Sequence, residues 1–197
     1  MTTYVLVHGG DRDGSIWDAV ATILKQQGHD VFCPTMTSVK KATLDENIAE
    51  IISYIKLHKI NNFVLVGHSY GSFVITGVTN KLPNEVCALI YVDALIPQSG
   101  KSLRDLTEDY GFNYKSFDLT EDPAVISKIY FDTEKVFSRP KSYILCLQSE
   151  FIALTKLTYD NLKKSNTGWL FHTLDTKHAC MLTQPNELAA ILLGKSY

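Results

Sequence analysis

The sequence has no stripe of lysine and arginine, no CxxC pair, no histidine cluster at metal-ligand spacing, and no apolar run of membrane-spanning length. Each absence removes a class of protein. A net charge of −2 over 197 residues, with both signs interspersed, offers no basic surface to nucleic acid and no cationic amphipathic helix to a membrane. Cys33, Cys87, Cys146 and Cys180 stand far apart, three of them in apolar strand-like runs (DVFCP, EVCALIYV, YILCL), and read as buried free thiols. The first residues, MTTYVLVHGG, show no positively charged segment before an apolar one. Free thiols and the missing signal segment set the expectation of a reducing cytoplasm. There is no internal repeat and no low-complexity tract. The expected partner is a small molecule, with neither nucleic acid nor membrane; the oligomeric state is left open.

What is present is enough apolar content, 45%, for one full core but not for two ordinary domains, so residues 1–197 are read as one domain. Short apolar runs bounded by Gly, Pro or Asn alternate with stretches of helical period, the signature of βαβ units and a parallel sheet. The strand candidates are TYVLVH, DVFC, NFVLVG, CALIYVD, SYILCL and WLFHTL, nearly continuous in apolar residues as strands covered on both faces are. Helices are expected between them. SIWDAVATILKQQG stops at Gly28, and TLDENIAEIISYIKLHK opens with a capping box, Thr43 and Glu46, before repeating Ile48, Ile51, Ile52 and Ile55 on one face. PNELAAILLG opens with Pro185 near its first turn. Residues 141–154 read as a buried strand running into a loop. From about 97 to 140 charged, aromatic and turn residues mix without clear period, and the segment is read as a small lid inserted between two strands.

The strongest chemical signal is FVLVGHSYGSFVITGVTN, a G-x-S-x-G with a strand before Gly67 and a helical run after Gly71. A sharp strand-to-helix turn lifts the hydroxyl of Ser69 above the sheet edge, and the flanking glycines leave room for the close approach, which makes Ser69 a candidate nucleophile. Its base should follow the last strand. His178, in LDTKHACMLTQPNELAAILL, meets that condition, whereas His29 and His58 fall at helix ends and His172 inside a strand. The first strand ends in His-Gly-Gly. In this plan the backbone amides of Gly10 and Tyr70 would hold the oxyanion formed by attack on a carbonyl. Trp17, a few residues on, reads equally well as core.

In these motifs the chain resembles the α/β-hydrolases, and within them the branch of plant methylesterases, hydroxynitrile lyases and similar bacterial esterases. The resemblance runs through VLVHGG with Trp17, GHSYG, YVDALIPQSGKSL, YILC and HACMLTQPNELAAILL. It implies a sheet of about six mostly parallel strands with helices on both faces, and ester hydrolysis through an acyl-enzyme without metal or organic cofactor. The lyases carry a threonine in the oxyanion loop and a lysine after the catalytic histidine, where this chain has Gly9 and Ala179, which argues against lyase chemistry. The lid is also shorter than the family's usual one. Phe112, Tyr114, Phe117, Tyr130, Phe131 and Phe137 either line a pocket there or anchor the lid.

One departure bears on activity. Where the resembling family carries its triad aspartate, in LQSEF, this chain has Ser149. Two carboxylates remain as candidates. Asp93 ends the strand after the elbow helix, the place where some haloalkane dehalogenases, another α/β-hydrolase group that the chain resembles, carry their acid; Glu150 is the immediate neighbour of Ser149. Asp93 is the preferred assignment and Glu150 the alternative. The expected function is a serine hydrolase of a small, mostly apolar carboxylic ester. The alternative is a hydrolase-like small-molecule binding protein whose catalytic apparatus has weakened.

Overall fold

The computed structural model describes residues 1–117 and 120–194. Six strands, β1 (Thr3–Val7), β2 (Asp30–Phe32), β3 (Phe63–His68), β4 (Val86–Val92), β5 (Lys141–Cys146) and β6 (Trp169–Leu174), form one sheet in the order β2-β1-β3-β4-β5-β6. Every neighbouring pair is parallel. The helices fall between them: α1 (Asp18–Gln26), α2 (Leu44–Leu57), α3 (Gly71–Lys81), then α4 (Leu103–Asp109), α5 (Pro123–Ile126) and α6 (Thr133–Phe137) between β4 and β5, α7 (Ile152–Ser165), and finally α8 (Cys180–Thr183) and α9 (Pro185–Leu193).

Alternation along the strands sends successive side chains to opposite faces, and each face has its own core. Tyr4, Leu6, Val64, Val66, Ile90 and Val92 pack with Leu24, Leu188 and Leu192 from α1 and α9. Val5, Val7, Leu65, Leu89 and Tyr91 pack with Ile48, Ile51, Phe73 and Leu154 from α2, α3 and α7. Covering both faces is what makes the strands read as continuous apolar runs. The stripe on α2 is the clearest case: Ile51 is 1% exposed, and a side chain of that size contributes about 1.5–3 kcal/mol when withdrawn from water. The capping box forms, with Thr43 N donating to Glu46 Oε2 at 2.7 Å and Glu46 N to Thr43 Oγ1 at 3.3 Å. Past α1, Gly28 takes a φ of +82°, which lets the chain leave the helix.

Two expectations need correction. Cys87 is exposed rather than buried, because the register slips between Phe63 and Val64: Val86 and Ala88 face consecutive residues of β3, and Cys87 is the bulged residue between them. Cys33 is half-buried, Cys146 and Cys180 are buried, and all four thiols are free. The run at 141–154 is also more regular than a strand entering a loop, since β5 stops at Cys146 and α7 begins at Ile152 after a short turn.

The described residues between β4 and β5 are held by their own packing. Ala124, Ile129, Phe131 and Val136 join the core on the α2–α3 face, and Ala124 N donates to the Val39 carbonyl at 3.2 Å. The aromatic residues of the segment divide. Phe131 and Phe137 pack on each other, and Phe137 reaches Tyr91 and Trp169; Tyr130 is 72% exposed; Phe117 alone of the six reaches the main cavity. Anchoring is therefore the main use of these rings.

The order of strands reverses about β1, whose neighbours β2 and β3 follow it in sequence on opposite sides. In an open parallel sheet the crevice beyond the carboxyl ends at such a reversal is where ligands bind.

Candidate active site

A cavity of about 670 Å³ lies at that place, and Gly10, Ser69, Tyr70, Asp93, Glu150 and His178 all line it. Its buried lining mixes apolar side chains, Leu95, Val125 and Leu154 among them, with the polar His68, Asp93, Thr107 and Thr155, and its exposed rim carries Asp11, Arg12, Glu150 and Lys177.

Ser69 sits between β3 and α3 with φ at +53°, a left-handed conformation that costs a non-glycine residue about 1–3 kcal/mol. The glycines of the motif make the turn possible. A Cβ on Gly67 would lie 2.7 Å from the Gly71 carbonyl oxygen, and one on Gly71 would lie 2.7 Å from that of His8. Ser69 N donates to the Val92 carbonyl at 3.1 Å, which fixes the turn against the end of β4. Of the six non-glycine residues at positive φ among the described residues, three line the cavity: Asp11, Ser69 and Asp93.

His178 is 16% exposed at its side chain, and its Nδ1 donates to Asp93 Oδ2 at 2.6 Å. Asp93 is fully buried. A carboxylate so placed needs partners, and Asp93 has the imidazole on one oxygen and the Cys146 amide, at 3.1 Å, on the other. Its own amide donates to the Ile144 carbonyl at 2.8 Å, and the Tyr143 hydroxyl holds the next carbonyl, Ala94, at 2.6 Å. Burial, with the charge of Asp93 nearby, pushes the Tyr143 hydroxyl well above its ordinary pKa and keeps it a donor. A carboxylate on Nδ1 selects the tautomer whose Nε2 is free to accept a proton.

Glu150 does something else. Its carboxylate accepts from the main-chain amide of His178 at 3.3 Å and stays exposed, so the alternative acid lies against the backbone of the histidine loop and not against Nδ1. Both residues lie in the short turn between β5 and α7, where Ser149 is buried at 4% exposure and Glu150 stands in solvent. Ser149 Oγ lies 3.5 Å from His178 Nδ1 and accepts from the Phe151 amide at 3.1 Å.

The amides of Gly10 and Tyr70 donate to no protein group among the described residues. Tyr70 is the cap residue of α3, where the dipole and the free first-turn amides favour negative charge. Val39 lies against Gly10 in the cavity wall. His8 and His68 were legible only as members of other motifs, and both are supports. His8 Nε2 accepts from the Met36 amide at 3.0 Å and its Nδ1 bonds the Gly9 carbonyl at 2.7 Å; burial lowers its pKa, and it stays neutral. His68 Nε2 donates to the His178 carbonyl at 3.1 Å, while burial first and the nearby His178 second hold its pKa well below the ordinary value. Trp17 is fully buried, edge-on to His68, and belongs to the core.

A hydroxyl on a strained turn, an oriented imidazole over a buried carboxylate and two unpaired amides in one cavity define the hydrolase class of parallel α/β folds. Residues 4–190 match the model of the alpha/beta hydrolase family, and the chain belongs to that family. It is 36% identical over 114 residues to a carbendazim hydrolyzing esterase of Nocardioides sp. (strain SG-4G), covering 54% of this chain and 47% of that one. It is 21% identical to putative methylesterase 15 of Arabidopsis thaliana, covering 96% of this chain and 55% of that one. The chain thus spans about half the length of these curated relatives. Among solved structures, polyneuridine aldehyde esterase superposes with a TM-score of 0.80 at 17% identity, and an extracellular alpha/beta-hydrolase of a Paenibacillus species with 0.78 at 22%, each over 98% of both chains. These two likenesses establish the fold. No group of three or more potential metal ligands occurs among the described residues, and no helix among them is long and apolar enough to cross a membrane.

Proposed function

We propose that this chain is a serine carboxylic-ester hydrolase, with Ser69 as nucleophile, His178 as general base, Asp93 as the orienting acid, and the Gly10 and Tyr70 amides as the oxyanion hole. The observation that carries the reading is the 2.6 Å contact between His178 Nδ1 and the fully buried Asp93. Ser69 Oγ attacks the ester carbonyl carbon while its proton passes to His178 Nε2, and the carbonyl oxygen becomes an oxyanion held by the two amides. The tetrahedral intermediate collapses, the alcohol leaves with the proton from Nε2, and an acyl-enzyme remains. Water then repeats the sequence and releases the acid. Asp93 stabilises the imidazolium formed in each half without taking the proton.

The apolar part of the lining, at Leu95, Val125 and Leu154, fits a small, mostly apolar acyl or alcohol group, and the esterase names of the relatives favour an ester as the bond cleaved. The rival reading, a weakened binding protein, rests on Ser149 leaving the histidine without a carboxylate. The contact of Asp93 with Nδ1 favours the enzyme reading over it.

The experiment is covalent labelling by a fluorophosphonate together with hydrolysis of p-nitrophenyl esters of graded acyl length. The reading requires wild type to label and to turn over, and Ser69→Ala to do neither. Labelling of Ser69→Ala equal to wild type, or an unlabelled wild type, contradicts it.

A further inference from the structure

Asn47 is out of place in its helix. Leu44, Ile48, Ile51 and Ile55 make the apolar stripe of α2, and Asn47, on the same stripe, is fully buried among them. A buried carboxamide costs stability unless its polar atoms are paired, and here both Nδ2 and Oδ1 have partners. Its Nδ2 donates to the Thr37 carbonyl at 2.9 Å and to Glu50 Oε2 at 3.2 Å, and its Oδ1 accepts from the Tyr70 hydroxyl at 3.0 Å. Glu50 closes the circuit by accepting from the Thr37 amide at 2.8 Å.

What these partners have in common is the pair of candidate oxyanion donors. Tyr70 carries one of the two amides, and its ring is 4% exposed, so the hydroxyl at its far end is an anchor for the residue. Thr37 follows Met36, whose amide donates to His8 Nε2, and His8 opens the Gly9–Gly10 turn that carries the other amide. Two residues beyond Thr37, Val39 lies against Gly10, its Cγ1 3.5 Å from where a Cβ on Gly10 would stand. The segment 36–39 therefore backs one donor, the Tyr70 side chain anchors the other, and Asn47 is bonded to both.

We infer that Asn47 is a positioning residue that sets the spacing of the two oxyanion donors, Gly10 N and Tyr70 N, through its hydrogen bonds to Thr37 and to the Tyr70 hydroxyl. The inference rests on the ester hydrolase reading above. An oxyanion hole acts on charge that exists only in the transition state, so a misplaced donor lowers kcat and leaves KM near its starting value. A residue that merely held α2 in place would lower thermal stability without that split. Burial, with the nearby Glu50 and Asp45 charges behind it, raises the pKa of Tyr70, and its hydroxyl remains a donor throughout the working range.

The test uses Tyr70→Phe, Asn47→Ala and the double variant, assayed on one p-nitrophenyl ester and with a trifluoromethyl ketone, which forms an oxyanion-bearing adduct with an active serine. Tyr70→Phe should lower kcat about fivefold, the equilibrium factor of one ordinary hydrogen bond, and Asn47→Ala about thirtyfold, both with KM within about twofold of wild type. The double variant should be no slower than Asn47→Ala alone, because both substitutions break the same link. Affinity for the ketone should weaken by the same factors as kcat. Tyr70→Phe removes one oxygen and keeps the ring in the core, so it decides the matter even where Asn47→Ala does not fold. Wild-type kcat and ketone affinity in Tyr70→Phe overturn the inference while wild type still labels with a fluorophosphonate; an unlabelled wild type overturns the hydrolase reading and the inference together.

Discussion

The ends of β4 and β5 lie side by side, with Val92 paired to Ile144, and both reach the same imidazole. One presents a carboxylate at 2.6 Å from His178 Nδ1 and the other a hydroxyl at 3.5 Å. Adjacent strand ends thus offer two seats around one nitrogen, and the fold itself does not decide which is filled. What the imidazole requires is a buried negative charge on Nδ1; the parallel register of β4 and β5 makes either strand able to supply it. The β4 seat is built more firmly here, since Asp93 is locked by the amide of Cys146 on the neighbouring strand as well as by His178.

Breaking the filled seat should have the largest effect. Asp93→Asn presents an amide to Nδ1, favours the wrong tautomer and should lower kcat/KM by about 10⁴-fold on a p-nitrophenyl ester. Filling the other seat sharpens the comparison. Ser149→Asp in the wild-type background sets a second carboxylate beside Asp93, and like charges around one imidazole should cost about threefold in kcat/KM; added to Asp93→Asn, the same substitution should recover about tenfold. A large gain from Ser149→Asp alone would mean that the β4 seat does not serve. Glu150→Gln should change kcat/KM by less than about twofold, because its contact is one exposed hydrogen bond to a main-chain amide.

The smallest effect is on stability and comes from the supports behind these seats. Burial depresses the pKa of His8 and His68 below the ordinary 6.5. Above that pH both are neutral in the folded and unfolded chain. Below it the unfolded chain binds protons that the folded one refuses, so stability falls with falling pH down to the folded-state pKa values. A Tm series from pH 8 to about pH 5 should decline below about 6.5, and a flat series over that range would contradict the neutral supports.

The sheet was legible because strands buried on both faces must be apolar throughout, and turn residues punctuate them; six runs correspond to six strands. That Ser69 and His178 would come to one cavity was legible from order along the chain, since a strand-to-helix elbow and a loop after the last strand reach the same edge. Asp93 entered as a candidate acid only by resemblance, because nothing local to YVDALIP reveals that Ile144 and Cys146 flank it or that it reaches His178. Cys87 was misread because a bulge is a property of two strands and not of one. The start of α7 was hidden because Phe151, Ile152 and Leu154 extend the apolar run of β5, while the turn that separates them contains no glycine or proline. Asn47 left a visible signal, a polar residue on an apolar stripe, but its partner Tyr70 lies 23 residues away and only the folded chain brings them together.

The central claim, that His178 takes its charge partner from the end of β4, is tested most directly by proton NMR of the imidazole Nδ1–H, which moves far downfield when it donates a short hydrogen bond to a carboxylate. Wild type and Glu150→Gln should both show this resonance, assigned to His178 by its loss in His178→Gln, and Asp93→Asn should lack it. A resonance that survives in Asp93→Asn and vanishes in Glu150→Gln would contradict the account.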